Sequence, residues 1–174
     1  MPERTGAVTF KGGPLTLIGG EVRPGDKAPD FICQGNDMAA VSLGAFRGKT
    51  LVLVSVPSLD TAVCDRETHR FNEEAMTLGD NVRVVVVSMD LPFAQKRWCG
   101  AAGVKNVLTL SDHADASFGK AYGVLIKELR LLARCVFVVD ADGAVRYVQL
   151  VKEMTTEPDY AGVLDAVRKV QAGK

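Results

Sequence analysis

The chain has 174 residues, which at about 150 residues per domain predicts one domain, residues 1–174. Hydrophobic residues make up 47% and charged residues 24%, enough to bury a core and too apolar for a disordered tail. Twenty-one Lys and Arg balance twenty-one Asp and Glu, so there is no basic field for phosphates and nucleic acid is not expected as a partner.

The start, Met1-Pro-Glu-Arg-Thr-Gly6, lacks the apolar stretch of a secretory signal, which makes cytoplasm the expected location. The longest apolar runs, residues 51–57 and 82–89, fall far short of the roughly 20 needed to span a bilayer, so a soluble chain without membrane attachment is predicted. Four cysteines (Cys33, Cys64, Cys99, Cys135) with no C-x-x-C pair and only two histidines fit neither a disulfide scaffold nor a zinc site. The reactivity of individual thiols is then the question.

Val8-Thr-Phe-Lys11 and Leu15-Thr-Leu-Ile18 flank Gly12-Gly13-Pro14 and predict an N-terminal hairpin, an extension over residues 1–22 lying outside the main core. Residues 24–31 are turn-rich, and residues 41–48 read as a short strand or turn leading inward. Leu51 to Pro57 is nearly continuous in β-branched residues, as a buried parallel strand should be, with a helix following from about Ala62 to Leu78. Val82 to Ser88 is a second such strand. Its helix opens near Pro92 and stops at Gly103, proline suiting a first turn and glycine a C-terminal cap. A right-handed crossover makes these strands parallel and sets both helix openings at one sheet edge. Residues 134–140 and 144–151, joined by Asp140-Ala-Asp-Gly143, predict an antiparallel pair, so the sheet is mixed. The last helix begins near Pro158, with Thr156 as the expected cap and Tyr160, Val163, Leu164 and Val167 as its apolar stripe.

Pro57-Ser-Leu-Asp-Thr61-Ala-Val-Cys64 lies where a buried strand gives way to a helix. With Thr61 as N-cap, Cys64 is the third helical residue; the Thr61 hydroxyl can accept its amide hydrogen, and the first-turn amides favour a sulfur anion. A small buried structural thiol is the competing reading. Lowering a thiol pKa from about 8.5 to about 6 takes roughly 3.4 kcal/mol, and a helix end supplies about 0.3–2 kcal/mol. A cation is therefore needed. Thiolate formation alone gains at most roughly 30-fold at neutral pH, so large rates must come from stabilising charge that develops on oxygen as an O–O bond breaks.

The motif Pro57-x-x-x-Thr61-x-x-Cys64 resembles the active site of peroxiredoxins, and the longer run with Thr68 and Arg70-Phe-Asn72 resembles the thiol peroxidase branch, atypical two-cysteine members of the thioredoxin-like superfamily. Further matching blocks are Asp90-Leu-Pro-Phe-Ala-Gln95 with Cys99-Gly100, Phe118-Gly-Lys120, Tyr122-Gly-Val124 and Leu132-Ala-Arg134, so the likeness extends from the Gly12-Gly13 turn to Glu157-Pro-Asp-Tyr160. The combination is far more specific than a lone cysteine. The resemblance implies an α/β thioredoxin-like fold, a mixed central sheet flanked by helices with the added hairpin.

It also implies roles. Cys64 would be the peroxidatic thiol, oxidised to sulfenic acid by hydrogen peroxide or organic hydroperoxides. Cys99 would be the resolving thiol, forming an intramolecular disulfide reduced by thioredoxin. Thr61 would orient the peroxide, Pro57 would shield the sulfur, and Arg134 would be the cation, with Arg66, Arg70 and Arg130 as competitors. A homodimer is implied, and no metal, haem or flavin cofactor. A disulfide needs α-carbons about 4.4–6.8 Å apart, so local unwinding around Cys99 is expected during turnover. The rival function is a peroxide-responsive sensor or binding module using the same disulfide switch.

Cys135 reads as a buried structural thiol, and Cys33 as a loop thiol open to oxidation. His69 lies five residues after Cys64, about 140° around a helix, and is expected to face away. Residues 127–132, Lys-Glu-Leu-Arg-Leu-Leu, form a shortened segment without the Gly and Pro common in relatives, which puts the approach of Arg134 in question. Ala62 and Trp98 stand where proline and phenylalanine are common.

Overall fold

A computed structural model describes residues 1–173. The two β-branched runs form the centre of a seven-stranded sheet. They are β5 (Thr50–Ser55) and β6 (Val82–Ser88), parallel and in register from Thr50 opposite Val82 to Ser55 opposite Val87. Beyond β6 come β7 (Leu108–Ser111), also parallel, and the antiparallel β3 (Ile32–Gln34) and β4 (Ala40–Ser42). On the other side β9 (Cys135–Val139) and β10 (Val145–Leu150) run antiparallel, giving the order β10-β9-β5-β6-β7-β3-β4. The mixed sheet is thus as expected.

Strand alternation divides the interior in two. Leu51 and Leu53 of β5 join Val85, Val87 and Phe137 in one cluster, whereas Val52 and Val54 join Val84, Val86, Val136 and Val138 in the other. The second cluster is covered by α1 (Ala62–Ala75), through Cys64 and Phe71, and by α4 (Tyr160–Gln171), through Val163, Leu164 and Val167. The first is covered by α3 (Ser117–Ala121), where Phe118 stacks on Tyr122 at 4.3 Å, and by the N-terminal hairpin.

That hairpin, β1 (Glu3–Phe10) and β2 (Gly13–Ile18), corrects an expectation. Its sequence predicts a position outside the core, yet Val8 and Leu17 are completely buried in the first cluster. The short β8 (Leu125–Ile126) pairs with β2 and draws the hairpin onto the body. Lys11 and Gly12 both have positive φ, +49° and +83°, as a tight two-residue hairpin turn demands.

Helix ends follow the sequence with two exceptions, of which the first is that α1 ends at Ala75 and not at Leu78. Thr61 caps α1, and α2 (Pro92–Ala102) opens on proline and closes on Gly103 at φ +67°. For α4 the cap is Asp159, whose carboxylate accepts the Gly162 amide, and not Thr156. Asp159 sits directly before the first helical residue, where an N-cap must be; Thr156 is three residues too early. No helix among the described residues is long and apolar enough to cross a membrane.

Candidate active site

The loop after β5 ends in the first turn of α1, and this junction sets Cys64. The Thr61 hydroxyl accepts the Cys64 amide hydrogen at 3.3 Å and donates to the Ser58 carbonyl at 3.1 Å, so it both caps the helix and folds the loop. Cys64 is wholly buried and Pro57 is buried at the strand exit, whereas Thr61 is exposed.

The loop is pinned from the neighbouring strand. Asp90, just beyond β6, accepts from the Ser58 hydroxyl at 2.7 Å through one oxygen, and from the Leu59 amide at 2.9 Å and the Ser88 hydroxyl at 2.7 Å through the other. Ser111 of β7 donates to the Asp90 carbonyl at 2.5 Å. Adjacent parallel strands thus hold the loop by their carboxyl ends, the edge where such sheets place their sites.

Arg134 reaches this point from the residue before β9. Its Nη1 donates to Cys64 Sγ at 3.3 Å and to Glu67 Oε2 at 2.5 Å, and its Nη2 donates to the Met154 carbonyl at 2.7 Å. The shortened segment before it does not keep the side chain away: Arg134 is 1% exposed and fixed from three directions. The competing arginines lie elsewhere. Arg66 is exposed and pairs with Glu157, Arg70 pairs with Glu74 and lies over the Tyr160 ring, and Arg130 is exposed.

Glu67 is the residue that sequence reasoning missed. It is completely buried one helical turn after Cys64, and burial outweighs the attraction of Arg134 to push its carboxyl up to about 7. Among the described residues its Oε1 has no hydrogen-bond partner, and neither has Arg134 Nε. For Arg134, burial works to lower its pKa, but the negative charges of Glu67 and of a Cys64 thiolate prevail and raise it. A signal was available: Cys64, Glu67, Thr68 and Phe71 recur at helical spacing on one buried face, where a carboxylate demands a cation.

The resolving candidate, Cys99, lies in α2 and faces elsewhere. Its sulfur is 3.5 Å from the Thr109 hydroxyl of β7, which in turn lies 3.0 Å from Asn36 Oδ1. Cys64 and Cys99 are both free thiols. His69 meets Asp65 at 3.7 Å and the Trp98 ring at 5.6 Å, on the outer side of α1.

The remaining thiols are buried. Cys33, predicted on a loop, lies instead in β3, with its sulfur 3.5 Å from Asp112, and burial beside that carboxylate pushes its pKa far up. It is thus poorly suited to oxidation through a thiolate. Cys135 in β9 is likewise buried, and desolvation raises its pKa. No cluster of metal-ligating side chains occurs among the described residues.

Residues 23–164 match the Redoxin family. The chain is 56% identical over 162 residues to a thiol peroxidase of Halalkalibacterium halodurans, covering 93% of this chain and 97% of the relative. The chain belongs to the thiol peroxidase family of redoxins. A thiol peroxidase of Bacillus subtilis is 55% identical, with 92% and 96% covered. Among solved structures, a peroxiredoxin-like protein from Aquifex aeolicus superposes with a TM-score of 0.89 at 45% identity, covering 96% of this chain and 97% of that one. A thiol peroxidase from Chromobacterium violaceum shares the fold, with a TM-score of 0.85 at 21% identity and coverage of 96% and 98%. The thioredoxin-like architecture expected from the motifs is therefore the architecture of this redoxin.

Proposed function

We propose that this redoxin is a thiol-dependent peroxidase in which Cys64 is the peroxidatic residue and Cys99 the resolving one, recycled by thioredoxin. The observation that carries the reading is Arg134 Nη1 at 3.3 Å from a sulfur held in the first turn of α1. It supplies the cation that the helix end alone cannot replace.

The Cys64 thiolate attacks the terminal oxygen of hydrogen peroxide or an organic hydroperoxide. An S–O bond forms, the O–O bond breaks, and its electron pair leaves on the departing oxygen, which takes a proton and departs as water or alcohol. Arg134 stabilises that developing charge. Thr61 Oγ1 already accepts one hydrogen bond and retains a lone pair for the peroxide hydrogen, while Pro57 limits water at the sulfur. The Cys64 sulfenic acid then condenses with the Cys99 thiol, forming the disulfide and releasing water. Thioredoxin, a dithiol, returns both sulfurs to thiols by exchange.

The same proposal includes a cytoplasmic homodimer, for which the exposed Leu91 and Phe93 at the opening of α2 offer apolar surface beside the site. Peptide mass mapping under non-reducing conditions, after one equivalent of hydrogen peroxide, tests the chemistry. A Cys64–Cys99 link within one chain is expected. Cys64 stopping at sulfenic acid, or pairing elsewhere, would remove Cys99 from the resolving role.

A further inference from the structure

The residues beside the two cysteines touch one another. Trp98, preceding Cys99, donates its indole Nε1–H to Asp65 Oδ1, the residue following Cys64, at 3.0 Å. The His69 ring lies 5.6 Å from the indole, so the Trp98 ring is seated against α1 as well as bonded to it.

The two halves of α2 are held very differently. Pro92 and Gln95 are its buried residues, and Gln95 Nε2 donates to the Ser88 hydroxyl and to the Leu110 carbonyl, which fastens the first turn. Lys96, Arg97, Gly100 and Ala101 are exposed, and Gly100 is the poorest helix former there. From Lys96 onward the helix is tied to its surroundings through Trp98, half-buried against the cluster of Val52, Val54 and Phe71 and bonded to Asp65, and through the weaker approach of Cys99 to Thr109. A segment with little buried apolar surface opens at low free energy, and the bonds that must break for it to open set how rarely it does so.

Given the unwinding around Cys99 expected during turnover, we propose that the Trp98–Asp65 hydrogen bond is the catch that sets how fast residues 96–102 open to bring Cys99 to Cys64. This rests on the reading of Cys99 as the resolving thiol. The catch leaves α1 and the Cys64–Arg134 contact undisturbed, so it governs the second step, in which sulfenic acid and thiol give disulfide and water. A closed catch leaves the sulfenic acid waiting and exposed to a second peroxide, which would carry it to sulfinic acid. Trp98 and Asp65 are thus positioning residues, setting the partition between resolution and overoxidation.

Trp98→Phe keeps an aromatic ring and removes the donor. In the reduced protein, amide hydrogen exchange over 96–103 should quicken about fivefold, with exchange in α1 unchanged. After one equivalent of hydrogen peroxide, the Cys64–Cys99 disulfide should form faster by a similar factor, and excess peroxide should yield less Cys64 sulfinic acid. Asp65→Asn keeps an acceptor, and its exchange over 96–103 should stay nearer the wild type, which separates the hydrogen bond from loss of packing. Unchanged exchange in Trp98→Phe overturns the catch whatever the disulfide mapping shows. Faster exchange with an unchanged disulfide rate overturns its control of resolution. Faster exchange in Trp98→Phe, when the wild-type protein forms no Cys64–Cys99 bond, supports the hold of the hydrogen bond on the segment but overturns the resolving assignment and with it the control of resolution.

Discussion

Arg134 and Glu67 form a buried ion pair at 2.5 Å beside the Cys64 sulfur, with 1% and 0% of their side chains exposed. The thiol thus shares its cation with a carboxylate on its own helix. This arrangement fixes the guanidinium while leaving Nη1 within reach of the sulfur.

Arg134→Ala should lower kcat/KM for peroxide about 100- to 1,000-fold, the usual cost of losing a preorganised group that stabilises developing negative charge. At pH 8 the variant should also lose about 3–5 kcal/mol of stability, because the buried Glu67 carboxyl, without its guanidinium, must either keep an unpaired charge or fold protonated. The double variant Arg134→Met with Glu67→Met should regain most of that stability in urea titrations without regaining activity. Recovery of the peroxidase rate in the double variant would show that the cation is dispensable.

Glu67 predicts a pH dependence of stability. Its folded-state pKa is raised from 4.5 to about 7, so between those values the folded protein binds more proton than the unfolded chain. Its stabilising contribution is fully present below about pH 4.5 and is lost as pH rises through about 7. Glu67→Gln cannot ionise and escapes this loss. Urea midpoints at pH 5 and pH 8 should therefore show the variant gaining on the wild type toward pH 8, by roughly 1–3 kcal/mol. A gain in the opposite direction would mean that the pair holds Glu67 ionised well below neutrality.

What the sequence disclosed follows from contact range. β5, β6 and the openings of α1 and α2 were legible because β-branched runs, Thr61, Pro92 and Gly103 act locally. β7 has four residues and β8 two, and both exist through pairing with distant strands, so no local pattern marks them. α3 follows Ala116 at φ +51°, and its first amides are accepted by Asp112, a carboxylate five residues before the helix starts. Cys64 and Thr61 were visible in their spacing, but the burial of Glu67 against Arg134 spans 67 residues of chain and had to be seen folded.

Asp90 should matter more than its place outside the reacting groups suggests. Asp90→Ala strands the Leu59 amide and removes the acceptor of the Ser58 and Ser88 hydroxyls, costing about 1–3 kcal/mol of stability. The loop it releases carries Thr61, so the peroxide rate should fall about tenfold, since small misplacements of catalytic groups are costly. Asp90→Asn retains an acceptor oxygen and should be milder in both respects. Stopped-flow peroxide kinetics beside urea titration separates the effects; a full stability loss with an unchanged rate would confine Asp90 to structure.

The four thiols should divide by function in a thioredoxin-coupled assay. Cys64→Ser should consume no peroxide at all, because the sulfur that Arg134 holds for the displacement on oxygen is gone. Cys99→Ser should consume one equivalent and then stop, its Cys64 sulfenic acid having no intramolecular partner. Cys33→Ser and Cys135→Ser should cycle as the wild type does, since both thiols are buried with pKa values raised by desolvation. Sustained cycling by Cys99→Ser would show that reductant reaches the Cys64 sulfenic acid directly, making this redoxin a one-cysteine enzyme. Arrest by Cys33→Ser would instead require β3 to detach from β7, to which it is paired at Gln34 and Ser111.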